Sequence, residues 1–173
     1  MQTYIALLRG INVGNKQMKM ADLKILFEEL GFADVVTYIQ SGNVVFASKS
    51  KNGLTEKISK GIQKSFGFEV PVLVKTVSEI EGILAACPFS EEKKKASYFI
   101  LLNEPPVKNM VEKVSQETYP DEEFNITDNC VYLFASKGYG VAKCNNNFFE
   151  KKLGVAATTR NYRTLAKLIE LAK

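Results

Sequence analysis

The chain has 173 residues, 46% of them hydrophobic and 24% charged, with a formal net charge of +4 and an isoelectric point near 8.8. This composition excludes a disordered chain, and the mild basic excess permits an anionic partner without demanding one. Histidine is absent, which excludes Ser-His and Cys-His nucleophilic pairs and removes the commonest transition-metal ligand. No triad hydrolase, zinc enzyme or other metal site is therefore expected.

The first apolar run, Thr3-Tyr4-Ile5-Ala6-Leu7-Leu8, is hydrophobic at nearly every position, which predicts a central strand covered on both faces. A glycine-punctuated polar loop follows, Arg9-Gly10-Ile11-Asn12-Val13-Gly14-Asn15. Leu23, Leu26, Phe27 and Leu30 then recur at helical spacing, with Asp22 in the first turn and Gly31 as the stop. Val35-Val36-Thr37-Tyr38-Ile39 and Val44-Val45-Phe46-Ala47 read as two strands joined by the turn residues Gln40-Ser41-Gly42-Asn43. Leu54, Ile58, Ile62 and Phe66 define a second helix ended by Gly67. Val70 to Val74 form a strand whose Pro71 places it at a sheet edge. Thr76 and Glu79 match a capping box that opens a short helix. This order is βαββαβ, the ferredoxin-like pattern.

Residues 87–97, which include Cys87-Pro88-Phe89-Ser90 and Lys93-Lys94-Lys95, interrupt the apolar pattern and read as a linker. Beyond them the same grammar restarts. There is a strand from Tyr98, a helix after Pro105-Pro106, and a hairpin turning at Asp128-Asn129. A helix ended by Gly154 and a short strand over Val155-Ala156-Ala157 complete the repeat. Thr158-Thr159-Arg160-Asn161 then read as the cap and start of a final helix, with arginines in its first turn. The expected architecture is α+β, with two tandem ferredoxin-like domains over residues 1–86 and 98–173. Each has an antiparallel sheet with helices packed on one face.

No run approaches the roughly 20 apolar residues that span a bilayer, and the N-terminus lacks the pattern of a secretory leader, so a cytoplasmic chain without a membrane partner is expected. Cys87, Cys130 and Cys144 are widely spaced and odd in number, as expected of free thiols in a reducing compartment.

In split βαβ connectivity the first two strands run the same way, so the hairpin turn lies at the end of the sheet where the first strand exits. Arg9, Asn12 and Asn15 are thus expected to share a rim with Gln40, Ser41 and Asn43. Guanidinium and amide donors around glycine turns suit a phosphate, a carboxylate or a base edge. On a purely structural reading, Gly10, Gly14 and Gly42 serve as turn glycines, Asn43 takes a left-handed position, and Arg9 satisfies carbonyls at the strand end.

Three stretches carry a family resemblance: residues 9–14 (RGINVG), residues 38–46 (YIQSGNVVF) and residues 158–161 (TTRN). Together they resemble the signature of a bacterial family of conserved cytosolic proteins known as domain of unknown function 1697. The chain departs from that pattern at Asn15, where the family has a second glycine, and at Tyr162, where it has tryptophan. The resemblance implies tandem ferredoxin-like domains and no established activity. It carries the signature onto Arg9, Gly10, Asn12, Gly14, Ser41, Gly42, Asn43, Thr159, Arg160 and Asn161.

The favoured function is binding of a small anionic or nucleotide-like ligand by Arg9, Asn12, Asn15, Ser41 and Asn43, completed by Arg160 and Asn161 at the final helix start. No cofactor is expected, because residues 9–15 form neither a Walker loop nor a dinucleotide fingerprint. Two alternatives stay open. Nucleic-acid binding is suggested by the ferredoxin-like topology and the Lys93-Lys94-Lys95 run, although residues 41–47 lack the aromatic pattern of an RNA-stacking strand. Otherwise the signature residues hold the two domains together. For an enzyme, Cys87 and Cys144 are the candidate nucleophiles, and no carboxylate pair or other catalytic set is evident. The oligomeric state is not encoded in any of these patterns.

Overall fold

The apolar run near the N-terminus forms strand β1 (Gln2–Leu8), buried from Tyr4 through Leu8 on both of its faces. A computed structural model describes residues 1–173. After β1 come α1 (Met20–Glu29), β2 (Ala33–Tyr38), β3 (Asn43–Ser48), α2 (Leu54–Phe66), β4 (Val72–Thr76) and α3 (Val77–Ala85). The sheet is antiparallel with strand order β2-β3-β1-β4, the ferredoxin-like order. Pro71 stands just before β4, which takes an edge of the sheet, where a missing N–H costs no ladder bond.

One face of this sheet carries both long helices. Leu23, Leu26 and Phe27 of α1, with Leu54, Ile58 and Ile62 of α2, pack with Tyr4, Ala6, Leu8, Val44, Phe46 and Val72. Phe27, Phe32 and Phe46 form an aromatic knot with ring centroids 4.6–5.7 Å apart. Each fully buried phenylalanine contributes roughly 1.5–3 kcal/mol of transfer free energy. Gly67 ends α2 in the left-handed conformation, φ 79°, which a glycine adopts without a Cβ penalty.

The second half repeats the plan: α4 (Glu91–Lys95), β5 (Tyr98–Leu102), α5 (Lys108–Ser115), β6 (Glu122–Ile126), β7 (Cys130–Ala135), α6 (Asn146–Leu153), β8 (Ala157–Asn161) and α7 (Tyr162–Leu171). Its sheet order, β6-β7-β5-β8, is the same as that of the first. Val114 of α5, with Phe149 and Leu153 of α6, covers one face, against Ile100, Leu102, Val131, Leu133 and Ala157. The chain divides into two compact units, Met1–Glu81 with Lys167–Lys173, and Gly82–Ala166. Helix α4 lies within residues 87–97, and Lys93 sits 5.0 Å from the Phe89 ring centroid and 4.8 Å from that of Phe134 while pairing with Glu123.

Two local expectations are corrected. Residues 158–161 are strand, not helix start: β8 pairs with β5 through Leu101↔Thr158, Ile100↔Thr159 and Phe99↔Arg160. The β-branched pair Thr158-Thr159 prefers the pleated backbone, and the helix begins only after Asn161, whose Oδ1 accepts from the Thr164 N–H at 2.8 Å. Arg160 is therefore a strand residue outside the helix's first turn. Asn43 is likewise ordinary strand in β3; the left-handed positions in that hairpin are Ile39, φ 48°, and Gly42, φ 81°.

The capping box at α3 is complete. The Glu79 N–H donates to Thr76 Oγ1 at 3.2 Å, and Glu79 Oε2 accepts from the Thr76 N–H at 2.7 Å. Partial burial raises the Glu79 pKa, but the Thr76 amide, the Thr76 hydroxyl and Lys75 outweigh it, leaving it below the usual 4.5. A carboxyl depressed by folding stabilises above its unfolded pKa and loses that contribution as pH falls through the folded value. Thr76→Ala is expected to cost about 1 kcal/mol in urea denaturation at pH 7. The wild type's advantage over Glu79→Gln should shrink as the pH is taken below 4.5.

Candidate functional site

The loop after β1 and the hairpin turn meet at one end of the first sheet because β1 and β2 are both antiparallel to β3. The Leu8 N–H donates to the Gly42 carbonyl at 2.8 Å, extending the β1–β3 ladder by one bond past Leu7↔Asn43. Gly42 is the point of closest approach. A Cβ built there would lie 2.7 Å from both Leu8 Cβ and Ile11 Cδ1, so only a glycine lets Ile11 seat against the turn.

Side chains then lock the contact. Asn12 Nδ2 donates to the Gln40 carbonyl at 2.7 Å, and Asn12 Oδ1 accepts from the Met18 N–H at 2.8 Å. One amide thus ties the turn to both arms of the loop. Asn12 itself has φ 55°, a left-handed conformation that asparagine tolerates. Asn43 is fully buried, and its Nδ2 donates to the Tyr38 carbonyl at 3.1 Å and to Ser41 Oγ at 2.9 Å, closing the hairpin from inside. The Arg9 N–H donates to the Pro71 carbonyl at 3.0 Å, attaching the loop's other flank to the β4 side. Asn15 and Ser41 lie exposed at the loop and turn tips. Ile39 is the strained member: it is β-branched, left-handed and 49% exposed, a combination costing roughly 1–2 kcal/mol.

Beside this rim lies a cleft of about 580 Å³ lined by Asn12, Gln17, Met18, Lys19, Asp22, Gln40 and Phe66. Its volume falls in the roughly 300–1,000 Å³ range of small-ligand sites. The Lys19 ammonium, the Asp22 carboxylate and the Gln40 side-chain amide form no hydrogen bond or ion pair with the protein, whereas both polar groups of Asn12 are engaged. Gln17 Nε2 donates to the Gly14 carbonyl at 3.0 Å, which leaves its oxygen open as an acceptor. Met18 is buried and the Phe66 ring packs on the core edge, giving the cleft an apolar base. Residues 17–22 and Phe66 are absent from the rim expected from sequence, where Asp22 reads as a helix-start residue and Phe66 as part of the second helix's apolar face.

Two other clefts are smaller. One in the second unit measures about 250 Å³, below that range, and its Lys137 and Asp121 pair with each other at 2.8 Å. One of about 370 Å³ beside α2 is lined by Lys51, Thr55 and Glu56 as well as by Thr76 and Glu79, the last two engaged in the capping box.

Arg160 and Asn161 lie on β8. Burial pushes the Arg160 guanidinium down to about 10, and its Nη1 donates to the Thr159 carbonyl at 2.9 Å. The adjacent Thr159 joins a polar network that sequence reasoning missed. Its Oγ1 donates to Asn146 Oδ1 at 2.7 Å, Asn146 Nδ2 donates to Glu150 Oε1 at 3.0 Å and to the Ala157 carbonyl at 3.1 Å, and the Asn146 N–H donates to the Tyr139 hydroxyl at 2.9 Å. The i, i+4 spacing of Asn146 and Glu150 behind the Asn145 cap was the available signal. The thiols offer no ready nucleophile at two positions. Burial, with Glu122 adding to it, pushes Cys144 up to about 12, and burial raises Cys130 well above the usual thiol range.

Two tandem α+β units of ferredoxin-like topology, with a glycine-closed rim on the first, define the structural class. The chain belongs to the family described as "Protein of unknown function (DUF1697)", whose model matches residues 1–132. That span takes in the rim and cleft, and residues 158–161 lie beyond it. Among solved structures, the conserved bacterial protein SP0830 from Streptococcus pneumoniae is similar in fold, with a TM-score of 0.77 at 24% identity, over 99% of this chain and 98% of that one. No curated protein matches the chain. No helix is long and apolar enough to cross a membrane.

Gly42→Ala should lower unfolding stability by about 3 kcal/mol, since the added methyl meets both a backbone penalty and a clash. Ile39→Gly removes the strained β-branched side chain and should raise stability by about 1 kcal/mol. Urea titrations of the two variants check both signs.

Proposed function

We propose that the cleft beside the rim binds a small anionic or nucleotide-like ligand. The observation that carries this reading is the division of labour around the cleft. Asn12, Gly42 and Asn43 have their polar groups or their space committed to holding loop and turn together, while Lys19, Asp22 and Gln40 line the same cleft with their side-chain polar groups unengaged. In this reading the signature residues are the frame and the neighbouring side chains are the contacts. Lys19 supplies the charge for the anionic group, and Gln17 and Gln40 supply amide chemistry for a polar edge. Arg9, Asn15, Ser41, Arg160 and Asn161 are not among the residues that line it.

The nucleic-acid alternative draws less support. A stacking platform needs an open sheet face, but Ile5, Leu7 and Val45, on the face of the first sheet opposite the helices, are at most 3% exposed. Two lysines of the Lys93-Lys94-Lys95 run are already paired, Lys93 with Glu123 and Lys94 with Glu91.

Thermal-shift screening with inorganic phosphate, nucleotides and dicarboxylates should find at least one ligand that raises the melting temperature. Lys19→Ala should weaken its binding about tenfold, the loss of one charge-assisted contact. If no anion stabilises the protein, or if Lys19→Ala binds as the wild type does, the proposal fails.

A further inference from the structure

The connection from β7 to α6, residues 136–145, is fastened to the start of β6 at both of its ends. At the first end the Asp121 carbonyl accepts from the Ser136 N–H at 2.9 Å, and the Asp121 carboxylate pairs with Lys137 at 2.8 Å. At the second end the Glu122 carboxylate accepts from two successive amides, through Oε2 from the Lys143 N–H at 3.1 Å and through Oε1 from the Cys144 N–H at 2.8 Å. Tyr139 anchors the middle, with its ring stacked on Tyr98 and its hydroxyl accepting from the Asn146 N–H. The stretch between Tyr139 and the second fastening is less well packed. Val141 is 72% exposed, and the cavity of about 250 Å³ borders Val141, Ala142 and Glu122. Cys144 lies at the second fastening and is fully buried in the core of the second unit. Its thiol faces the same carboxylate, and a covered thiol of this kind is inert. One ionised side chain therefore holds the chain that covers it. A carboxylate accepts at both oxygens, whereas the protonated acid carries a donor on one of them, so the two amides lose their shared charge-assisted acceptor.

We propose that Glu122 is an acid-released latch: ionised, it holds the end of the 136–145 connection over Cys144, and protonated, it lets that end lift and uncovers the thiol. The latch is closed above the carboxylate range and opens as the pH falls through it. The neighbouring charged groups leave Glu122 as the group that changes. Glu117, which Lys152 and the Tyr119 hydroxyl hold below the usual carboxylate range, keeps its charge to lower pH. Tyr119, raised to about 12, and the lysines 137, 143 and 152 hold their protons throughout. The first fastening survives because its Ser136 bond is made by the Asp121 backbone carbonyl.

Labelling of the full chain with dithiodipyridine, read cysteine by cysteine by mass spectrometry and corrected with a free-thiol standard, tests this. Cys130, fully buried in β7, is the control for global unfolding. From about pH 7 to about pH 4, labelling of Cys144 should quicken on the order of tenfold or more while Cys130 stays protected. Glu122→Gln keeps the shape of the side chain but turns one acceptor into a donor, so it should label Cys144 at the fast rate at both pH values. Asp121→Asn should leave Cys144 covered at neutral pH. Protection of Cys144 that persists at about pH 4, or Cys144 and Cys130 opening together, would overturn the latch. So would a Glu122→Gln variant as slow as the wild type at neutral pH. Should Glu122→Gln expose Cys130 as well, the wild-type comparison between the two pH values decides alone.

Discussion

The architecture at the rim of the first unit depends on one close approach, that of Gly42 to Leu8 and Ile11. The Leu8 N–H reaches the Gly42 carbonyl at 2.8 Å, and there is no room for a Cβ. Everything polar on the rim follows from that contact. With Ile11 seated against the turn, Asn12 falls within reach of the Gln40 carbonyl and, on its other side, of the Met18 N–H. Met18 leads directly into Lys19 and α1, so the first turn of the helix is set by the same amide that holds the hairpin. A loop of this length would otherwise be free to move, and the cleft wall would move with it.

This arrangement separates residues that hold shape from residues left able to bind. Asn43 is buried and doubly engaged as a donor, so its contribution is the geometry of the turn. Lys19, Asp22 and Gln40 line the cleft without partners. Binding sites commonly rest on a second layer of this kind, in which hydrogen bonds fix the backbone that presents the contacting side chains. The strain at Ile39, a left-handed β-branched residue next to Gln40, fits a turn whose shape is imposed by its surroundings and not by its own preference.

The strands and helices were largely legible in the sequence, because a nearly unbroken apolar run in β1, period-2 strands and i+4 helices leave little choice of element type. The meeting of loop and hairpin was legible too, since it follows from topology alone. Three things were not. Thr158-Thr159-Arg160-Asn161 offers both cap chemistry and β-branched residues, and pairing with β5, which a local pattern does not reveal, decided for strand. Phe66 continues the i+4 rhythm of α2 and so reads as core, yet its ring is partly exposed at the cleft. Lys19 and Gln17 carry no motif; the Asn12–Met18 hydrogen bond brings them to the rim, and such a contact between a loop and its own exit has no signature in composition or spacing.

Amide chemical-shift mapping during titration of the full chain with inorganic phosphate and with nucleotides tests the central claim most directly. The account predicts shifts that saturate together and cluster at Asn12, residues 17–22, Gln40 and Phe66. No saturable shifts at those residues, or shifts concentrated in the second unit near Lys137 and Lys143, would contradict it.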